Sequence, residues 1–344
     1  MDKELLPEES GYKANLHCHS TDSDGALTPE NLKRYYKENG YSILAYTDHL
    51  YMRDRSSLND EEFVALNGYE NSINQWGITP LYEDKCYHMN FYSPAPDKVG
   101  MVGVFDKLYH YFNMERTKKT PEQLAMSPIL DEGGFCDPTY SAENAQNIID
   151  KARELGYLVV LNHPVWSRQT EEDWGGLKGL TALEIYNHGG TLGGYNDECE
   201  YIYDTMLRRG QKISCVAGDD NHSNNPSRDD SFGGFTVVYA KKLDYTSVFN
   251  ALRDGNTYAS SGGILRGVHI VGDKVYIGAE DAVYIRMTTN GRYSGYAVAK
   301  DKPLTEAVFT LPPALKYFRI TIENTKGKKA FTRAYFRNEQ GEWE

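Results

Sequence analysis

Cysteine is scarce in this 344-residue chain, and its spacing does not suit pairing. The five thiols (Cys18, Cys86, Cys136, Cys199 and Cys215) are odd in number, lie far apart and form no Cys-x-x-Cys. This argues against a disulfide framework and against a thiolate zinc site. No apolar run approaches the ~18–20 residues needed to cross a membrane as a helix. The opening MDKELLPEES is acidic and polar with no apolar stretch, so no secretory signal is expected and a cytoplasmic location is. No Gly-x-Ser-x-Gly elbow offers a serine nucleophile. Basic residues are also short, 37 Lys and Arg against 49 Asp and Glu, for a net charge of −12. The shortfall is local: residues 1–262 carry −16 and residues 263–344 carry +4. Non-specific nucleic-acid binding needs clustered Lys and Arg, so it is not expected. An acidic main domain could gather divalent cations, or could simply be a solvated surface.

What the chain does have is a rhythm. Thr28-Pro29 reads as an N-cap followed by proline at the first helical position, with a helix to about Asn39 closed by Gly40. Strand 41–47 follows at once. Ser141 opens a second helix closed by Gly156, and strand 157–161 follows. A third helix, 197–209, is closed by Gly210 and leads into strand 213–217. Repeated helix–Gly–strand units predict parallel strands with crossover helices, as in an α/β barrel or a doubly wound sheet. Residues 97–140, rich in Tyr, Phe, Lys and Gly, break the rhythm and read as an insertion, a candidate lid near the site. After Gly262-Gly263 the pattern becomes short alternating runs separated by turn signals, such as GVHIVG, KVYIGA and YFRITIEN. That predicts a second, small all-β domain over 263–344, a sandwich in form.

Six of the nine histidines sit in or just after apolar, strand-like runs, and His188 at the end of TALEIYNH would make a seventh. His17 and His19 follow 12–16, His49 follows 41–47, His163 follows 158–161, His222 follows 213–217, and His88 lies within 86–92. In a strand, residues i and i+2 share a face, so His17 and His19 converge as a chelating pair must, while Cys18 points away as a buried thiol. Carboxylates accompany the histidines: Asp24 in the SDG loop, Asp48 beside His49, Glu70 after 63–69, and Asp220 two residues before His222. Any one of these could be a hydrogen-bonded structural group. Together, at matching strand ends, they predict a metal cluster. Imidazole and carboxylate without thiolate suit zinc, manganese or iron.

HCHSTDSDG, TDH, the Glu70–His88 pair, NHP and DDNH, taken in that order, resemble the PHP family (polymerase and histidinol phosphatase) of metal-dependent phosphoesterases over about residues 12–262. The resemblance implies a distorted seven-stranded (β/α) barrel with three divalent metal ions. Residue by residue, it implies that His17, His19, Glu70 and Asp220 hold one metal. Glu70, His88 and His163 hold a second, with Glu70 bridging. Asp24, His49 and His222 hold the third. Many members have His where this chain has Asp24, and the interval from Glu70 to His88 is longer than in compact relatives. The run YFRITIEN with GKKAFTRAYF resembles the β-module appended to a PHP branch that includes carbamate and ester hydrolases.

The expected reaction is hydrolysis of a small phosphorylated compound, with a nucleotide among the candidates, by in-line attack of a metal-bridging hydroxide. Bound cations lower the pKa of water and neutralise developing charge. Glu70 is expected to act at the centre of the chemistry. Arg168 and Arg228, on loops after His163 and His222, are candidate phosphate contacts, or else solvated surface arginines. His188 is a candidate general acid or substrate contact, or else a structural histidine. Asp48 is expected to orient His49 or the backbone, and Trp166 and Tyr186 could wall a pocket. Hydrolysis of a carboxylic ester, carbamate or amide is the alternative reaction. A non-catalytic, metal-stabilised binding module is the alternative class. The oligomeric state is not legible.

Overall fold

The computed structural model describes residues 2–75, 84–137, 139–224 and 229–344. Its architecture is mixed α/β. In chain order the first part contains β1 (Lys3–Leu6), β2 (Tyr12–Asn15), α1 (Pro29–Glu38), β3 (Ile43–Tyr46), β4 (Val64–Asn74) and β5 (Cys86–Tyr92). Short helices α2 (Asp106–His110) and α3 (Pro121–Ala125) follow, with a π-helical segment Tyr111–Arg116 between them. Next come α4 (Ala142–Glu154), β6 (Leu158–Leu161), α5 (Glu171–Trp174), β7 (Ala182–Asn187), α6 (His188–Leu192), α7 (Glu200–Arg208) and β8 (Ser214–Gly218). β9 (Phe235–Val238), α8 (Tyr245–Arg253) and β10 (Thr257–Ser260) complete it.

Helix boundaries follow the capping chemistry in the sequence. Thr28 caps α1 by accepting from the Asn31 N–H, with Pro29 first inside. Ser141 caps α4 by accepting from the Asn144 N–H. The third helix begins later than its pattern suggests: Cys199, not Asp197, is its N-cap residue. Asp197 is drawn away because its carboxylate accepts from the Trp166 N–H and its carbonyl from the Asn187 N–H.

Strand pairing runs β2-β3-β4-β5-β6-β7-β8, and an isolated parallel bridge between Cys18 and Asn221 returns the end of the last strand to the first. The pairs β2–β3, β3–β4, β6–β7 and β7–β8 are parallel, as the rhythm predicts. β5 departs from it, pairing antiparallel with both β4 and β6. Only residues 75–85 separate β4 from β5, short of the dozen or more that a parallel crossover with its helix requires. One reversed strand then restores direction for β6. Ala14, Ile43, Ala45, Val64, Leu66, Val160, Ala182 and Val216, from six of these strands, meet in one buried apolar cluster with α8. Cys18 is buried in a different cluster, with Leu32 and Tyr36 of α1.

The remaining strands are β11 (Ile264–Val271), β12 (Lys274–Thr289), β13 (Gly295–Val298), β14 (Leu304–Thr310), β15 (Tyr317–Asn324), β16 (Lys329–Thr332) and β17 (Tyr335–Phe336). All their mutual pairings are antiparallel. Two runs that read as separate strands, KVYIGA and AVYIRMTT, form the single β12. The first part of the chain is tied in twice. β10 pairs with both β9 and β16. β1, at the far N-terminal side of the sequence, pairs with β11 and buries Leu6 among that module's apolar residues.

Candidate metal centre

The ends of parallel strands deliver most of the expected ligands to one place. His17 and His19 lie just past β2, His49 past β3, His163 past β6, and Asp220 and His222 past β8. Glu70 and His88 arrive differently, from within β4 and β5 rather than from strand ends. β4 runs on to Asn74 because its residues are buried throughout and β5 pairs along its whole extension. Antiparallel register sets Glu70 opposite Asn90 and Ser72 opposite His88, which places Glu70 and His88 diagonally on one face.

Donor atoms converge in four groups, each with all its atoms within 4.8 Å of one another: His19, Asp24, His49 and His222; His17, His19, Glu70 and Asp220; Glu70, His88 and His163; and His17, His163 and Glu184. Glu70 sits at the middle. Its Oε1 lies 3.1 Å from His88 Nδ1 and 3.3 Å from both His17 Nε2 and His163 Nε2. Its Oε2 lies 3.2 Å from His49 Nδ1 and 3.5 Å from His19 Nε2. Asp220 Oδ1 lies 3.1 Å from His19 Nε2 and 3.2 Å from His17 Nε2. Asp24 Oδ2 lies 3.4 Å from His222 Nε2 and 3.8 Å from His49 Nε2.

These close approaches are not all hydrogen bonds. His17 Nε2, His19 Nδ1 and His49 Nδ1 are buried and make none among the described residues. An orphaned buried polar atom is costly, and most native ones are satisfied by protein, water or an ion. Lone pairs that face carboxylates without aligning on them fit a shared cation, so the donor set suits divalent metals. The backbone is also held unusually here: φ is +24° at His163 and +53° at Asp220. Such conformations cost about 1–3 kcal/mol in a non-glycine residue and cluster at functional sites. Gly218 is required by space, since a Cβ there would lie 2.8 Å from His17 Cβ and 2.9 Å from Glu184 Oε1.

Charges are strongly coupled. Burial opposes protonation of His17, but Asp220, Glu70 and Glu184 outweigh it and raise its pKa well above the ordinary histidine value. His88 is raised in the same way against burial, chiefly by Glu70. Burial pushes Glu70 up, yet His88, His17 and His49 hold it well below the usual carboxylate range. Asp220 is likewise lowered, burial being overcome by His17, His19 and His163. His222 rises to about 9 against burial because Asp24 faces it, while burial takes His49 down to about 3 despite Asp24. Protons and a cation therefore compete for the same lone pairs.

Around the ligands stands a supporting layer that the sequence reading missed in part. Glu184 of β7 is buried; its Oε1 lies 3.0 Å from His17 Nδ1, and its Oε2 accepts from the His163 N–H and from Asn187. Asn162 donates to Glu70 at 2.8 Å, and Asn187 donates to Asp220 at 3.3 Å. The one available signal for Glu184 was an acidic residue inside the apolar run ALEIYN. Of its two expected roles Asp48 takes the backbone one: it accepts from the N–H and hydroxyl of Ser20, from the Ser23 hydroxyl and from Arg55, which fixes the loop between His19 and Asp24. Asp219 accepts from Tyr36 and from the N–H groups of Phe232 and Gly234, and burial lifts its pKa to about 7.

Beside the donor groups is a recess of about 260 Å³ lined by several of their side chains with Ser72, Asn74, Leu108, Phe112 and Trp166. It adjoins a wider one of about 550 Å³ lined by Trp166, Gly189, Gly190, Gly193, Tyr195 and Asp230, and the two share Asp24, Asp220 and His222. Phe112, from the 97–140 insertion, stacks on His49 at 4.5 Å, and Trp166 lies 5.1 Å from His163 and 5.3 Å from His88. Other expected contacts lie elsewhere. Arg168 is exposed at a left-handed position and lines neither recess. His188 Nδ1 is 3.1 Å from the Tyr186 hydroxyl, its ring packs against Gly233, and neither His188 nor Tyr186 is among the lining residues. Strand β7 ends one residue earlier and turns directly into α6, of which His188 is the first residue. Arg228 lies outside the described residues.

No protein-family model matches the chain, and neither does any curated protein. Among solved structures it is similar to a two-domain protein from Bacteroides vulgatus ATCC 8482, described as containing a predicted PHP-like metal-dependent phosphoesterase. That match is 13% identical and covers 94% of each chain, with a TM-score of 0.43. It is also similar to a protein from Bifidobacterium adolescentis ATCC 15703 described as a candidate metal-dependent phosphoesterase: 17% identical, covering 70% of this chain and 95% of that one, TM-score 0.42. A third neighbour is an amidohydrolase from Chromobacterium violaceum with bound sulfate and no metal: 18% identical, covering 61% and 87%, TM-score 0.36. Two of the three thus carry a phosphoesterase description. Overlaps this loose carry no inference about the reaction, which rests on the side chains.

Proposed function

We propose that this protein is a metal-dependent hydrolase of the PHP type and, within that class, a phosphoesterase for a small phosphorylated substrate, with a nucleotide among the candidates. In this reading strands β2 to β8 form the distorted seven-stranded barrel, residues 263–344 a sandwich-like accessory domain, and the centre takes three divalent ions of zinc, manganese or iron. The observation that carries it is the convergence of nine side chains (His17, His19, Asp24, His49, Glu70, His88, His163, Asp220 and His222) on overlapping donor groups. Divalent cations bound there would acidify a water molecule and draw charge from a phosphoryl oxygen.

The chain's own residues do the rest. Glu70 faces donors of all three sets and would bridge them. Glu184, Asn162 and Asn187 fix the orientation of His17, Glu70 and Asp220, so that little reorganisation is needed when charge develops. Phe112, Leu108 and Trp166 wall the recess and thin the water above it. The wider recess alongside, with its backbone of Gly189, Gly190 and Gly193, is the room for the rest of the substrate.

One feature favours the second reading, a carboxylic ester, carbamate or amide. No Lys or Arg lines either recess among the described residues, so a phosphate there would depend on the cations alone for its charge. The deciding experiment measures metal stoichiometry and, on the same sample, release of p-nitrophenol from its phosphate, bis-phosphate and acetate esters, with His17→Ala as control. Phosphate release that requires metal supports the phosphoesterase. Turnover of acetate alone moves the assignment to the second reading. Little metal and no turnover would overturn both in favour of a binding module.

A further inference from the structure

We propose that the face opposite the metal centre binds a small, multiply charged phosphate compound such as an inorganic oligophosphate or a nucleoside polyphosphate. A recess of about 840 Å³ opens there, at the starts of β6, β7 and β8, lined by Tyr157, Leu158, Thr181 and Ile213. The metal ligands lie past the other ends of β6 and β8. The two sites are separated by the length of these strands, about 13–20 Å at ~3.3 Å per residue.

Arg153, Lys178, Arg209, Lys212 and Arg253 line the recess, and no Asp or Glu does so. That composition runs against its surroundings, because residues 1–262 carry −16. Five cations around one concavity focus a positive potential that an anion relieves. Three of them have partners: Arg209 with Glu171, Lys212 with Glu344, and Arg253 with its neighbour Asp254. All three pairs are exposed, and such pairs contribute little and exchange easily. Arg153 and Lys178 have no carboxylate within ion-pair distance among the described residues, and they are the principal free charges of the recess.

Two of the arginines lie beside glycines. Gly179 has φ of +81°, and a Cβ there would lie 2.6 Å from Arg153 Cδ and 2.7 Å from its Nη1. The Arg153 side chain thus runs close along the Gly179 backbone. Arg209 is held differently, by a hydrogen bond: its Nε donates to the Gly175 carbonyl at 2.9 Å. A planar fork anchored like that of Arg209 loses little entropy on engaging phosphate oxygens, and the free Arg153 guanidinium offers the same bidentate match to phosphate. The concavity suits a small molecule rather than an extended polymer.

The test is calorimetric titration of the metal-loaded full-length chain with inorganic triphosphate, in parallel with Arg153→Glu/Lys178→Glu and with His17→Ala. Asp24→Asn replaces the last if it does not fold, and Arg153→Gln/Lys178→Gln replaces the charge reversal on the same ground. The expected result is a salt-sensitive binding event that survives His17→Ala and weakens about 10-fold or more in the Arg153/Lys178 variant, whose metal content and melting temperature are retained. An event lost in His17→Ala but kept in the Arg153/Lys178 variant would place the anion at the metal centre and overturn the proposal. So would the absence of any event at millimolar triphosphate, or a single-stranded oligonucleotide binding at this face when triphosphate does not.

Discussion

Glu184 carries a role that its position in the chain hides. It stands three residues into an apolar strand, where an isolated carboxylate would be costly, yet all its hydrogen bonds go to groups that present the metal donors. By accepting at His17 Nδ1 it leaves Nε2 as the lone-pair face aimed at Glu70 and Asp220. Glu184→Gln keeps the shape and removes the charge. Partners of this kind are worth about 10–100-fold in metal affinity, so the substitution is expected to weaken binding by that factor. Competition against a chromogenic chelator, with metal content read on the same sample, checks it. Unchanged affinity would mean that Glu184 only fills space and satisfies the His163 and Asn187 N–H groups. Most of the converging side chains were legible because they end, follow or interrupt an apolar run, and Asp24 was legible from its place in the SDG loop after His19. Glu184 was not, because nothing in the sequence says which histidine an acidic residue in a distant strand will face. Arg168 and His188 show the converse limit: being close in sequence to a donor does not decide on which side of a turn a side chain emerges.

At the level of elements, the starts of α1 and α4 and the parallel pairs could be read from capping residues and glycine stops, since those signals act within a few residues, whereas the start of α7 was displaced by the long-range hydrogen bonds of Asp197. The reversed direction of β5 against β4 departs from the helix–strand rhythm, because the short interval 75–85 leaves too little chain for a parallel crossover with its helix. The extension of β4 past Glu70 follows from the same pairing. The insertion was visible as a break in rhythm, and its contact with the site was not. The π-helical segment Tyr111–Arg116 brings the Phe112 ring over His49, and that stack is the insertion's firmest ring contact with the donor set. An aromatic pair of this kind contributes about 0.5–1.5 kcal/mol beyond burial. Phe112→Ala should therefore open the recess and lower kcat/KM by about 2–10-fold, with metal content preserved. Steady-state kinetics together with elemental analysis would check this, and loss of metal in the variant would show that the ring secures His49 rather than the substrate space.

On the scale of the whole molecule, the two parts meet through charge as well as strands. Arg319 of β15 is fully buried, and its guanidinium is forked onto Asp204 at 2.6 and 2.8 Å and reaches Glu200 of α7 at 2.9 Å. Arg286 also donates to Glu200. Burial alone would raise the Glu200 pKa, yet Arg319 first, then Arg286 and Thr321, bring it down to about 2 from an ordinary 4.5. A carboxylate lowered in the folded state adds stability that is fully present above its unfolded pKa and is lost as pH falls through the folded value. Stability should accordingly decline between about pH 4.5 and pH 2, with up to about 3 kcal/mol assignable to this group. Urea denaturation across that window, compared with Glu200→Gln, measures it: the variant's pH profile should be flatter by that amount. Arg319→Met should do more damage than Glu200→Gln at neutral pH, because it leaves the half-buried Asp204 without its guanidinium and Glu200 with Arg286 alone. Breaking a buried pair from one side costs about 3–5 kcal/mol. Because β1, β10 and this seam all cross between the two parts, that loss should appear as one cooperative transition moved to lower urea. Separate unfolding of residues 263–344 ahead of the rest would instead show that the ion pairs hold together domains that are otherwise independent.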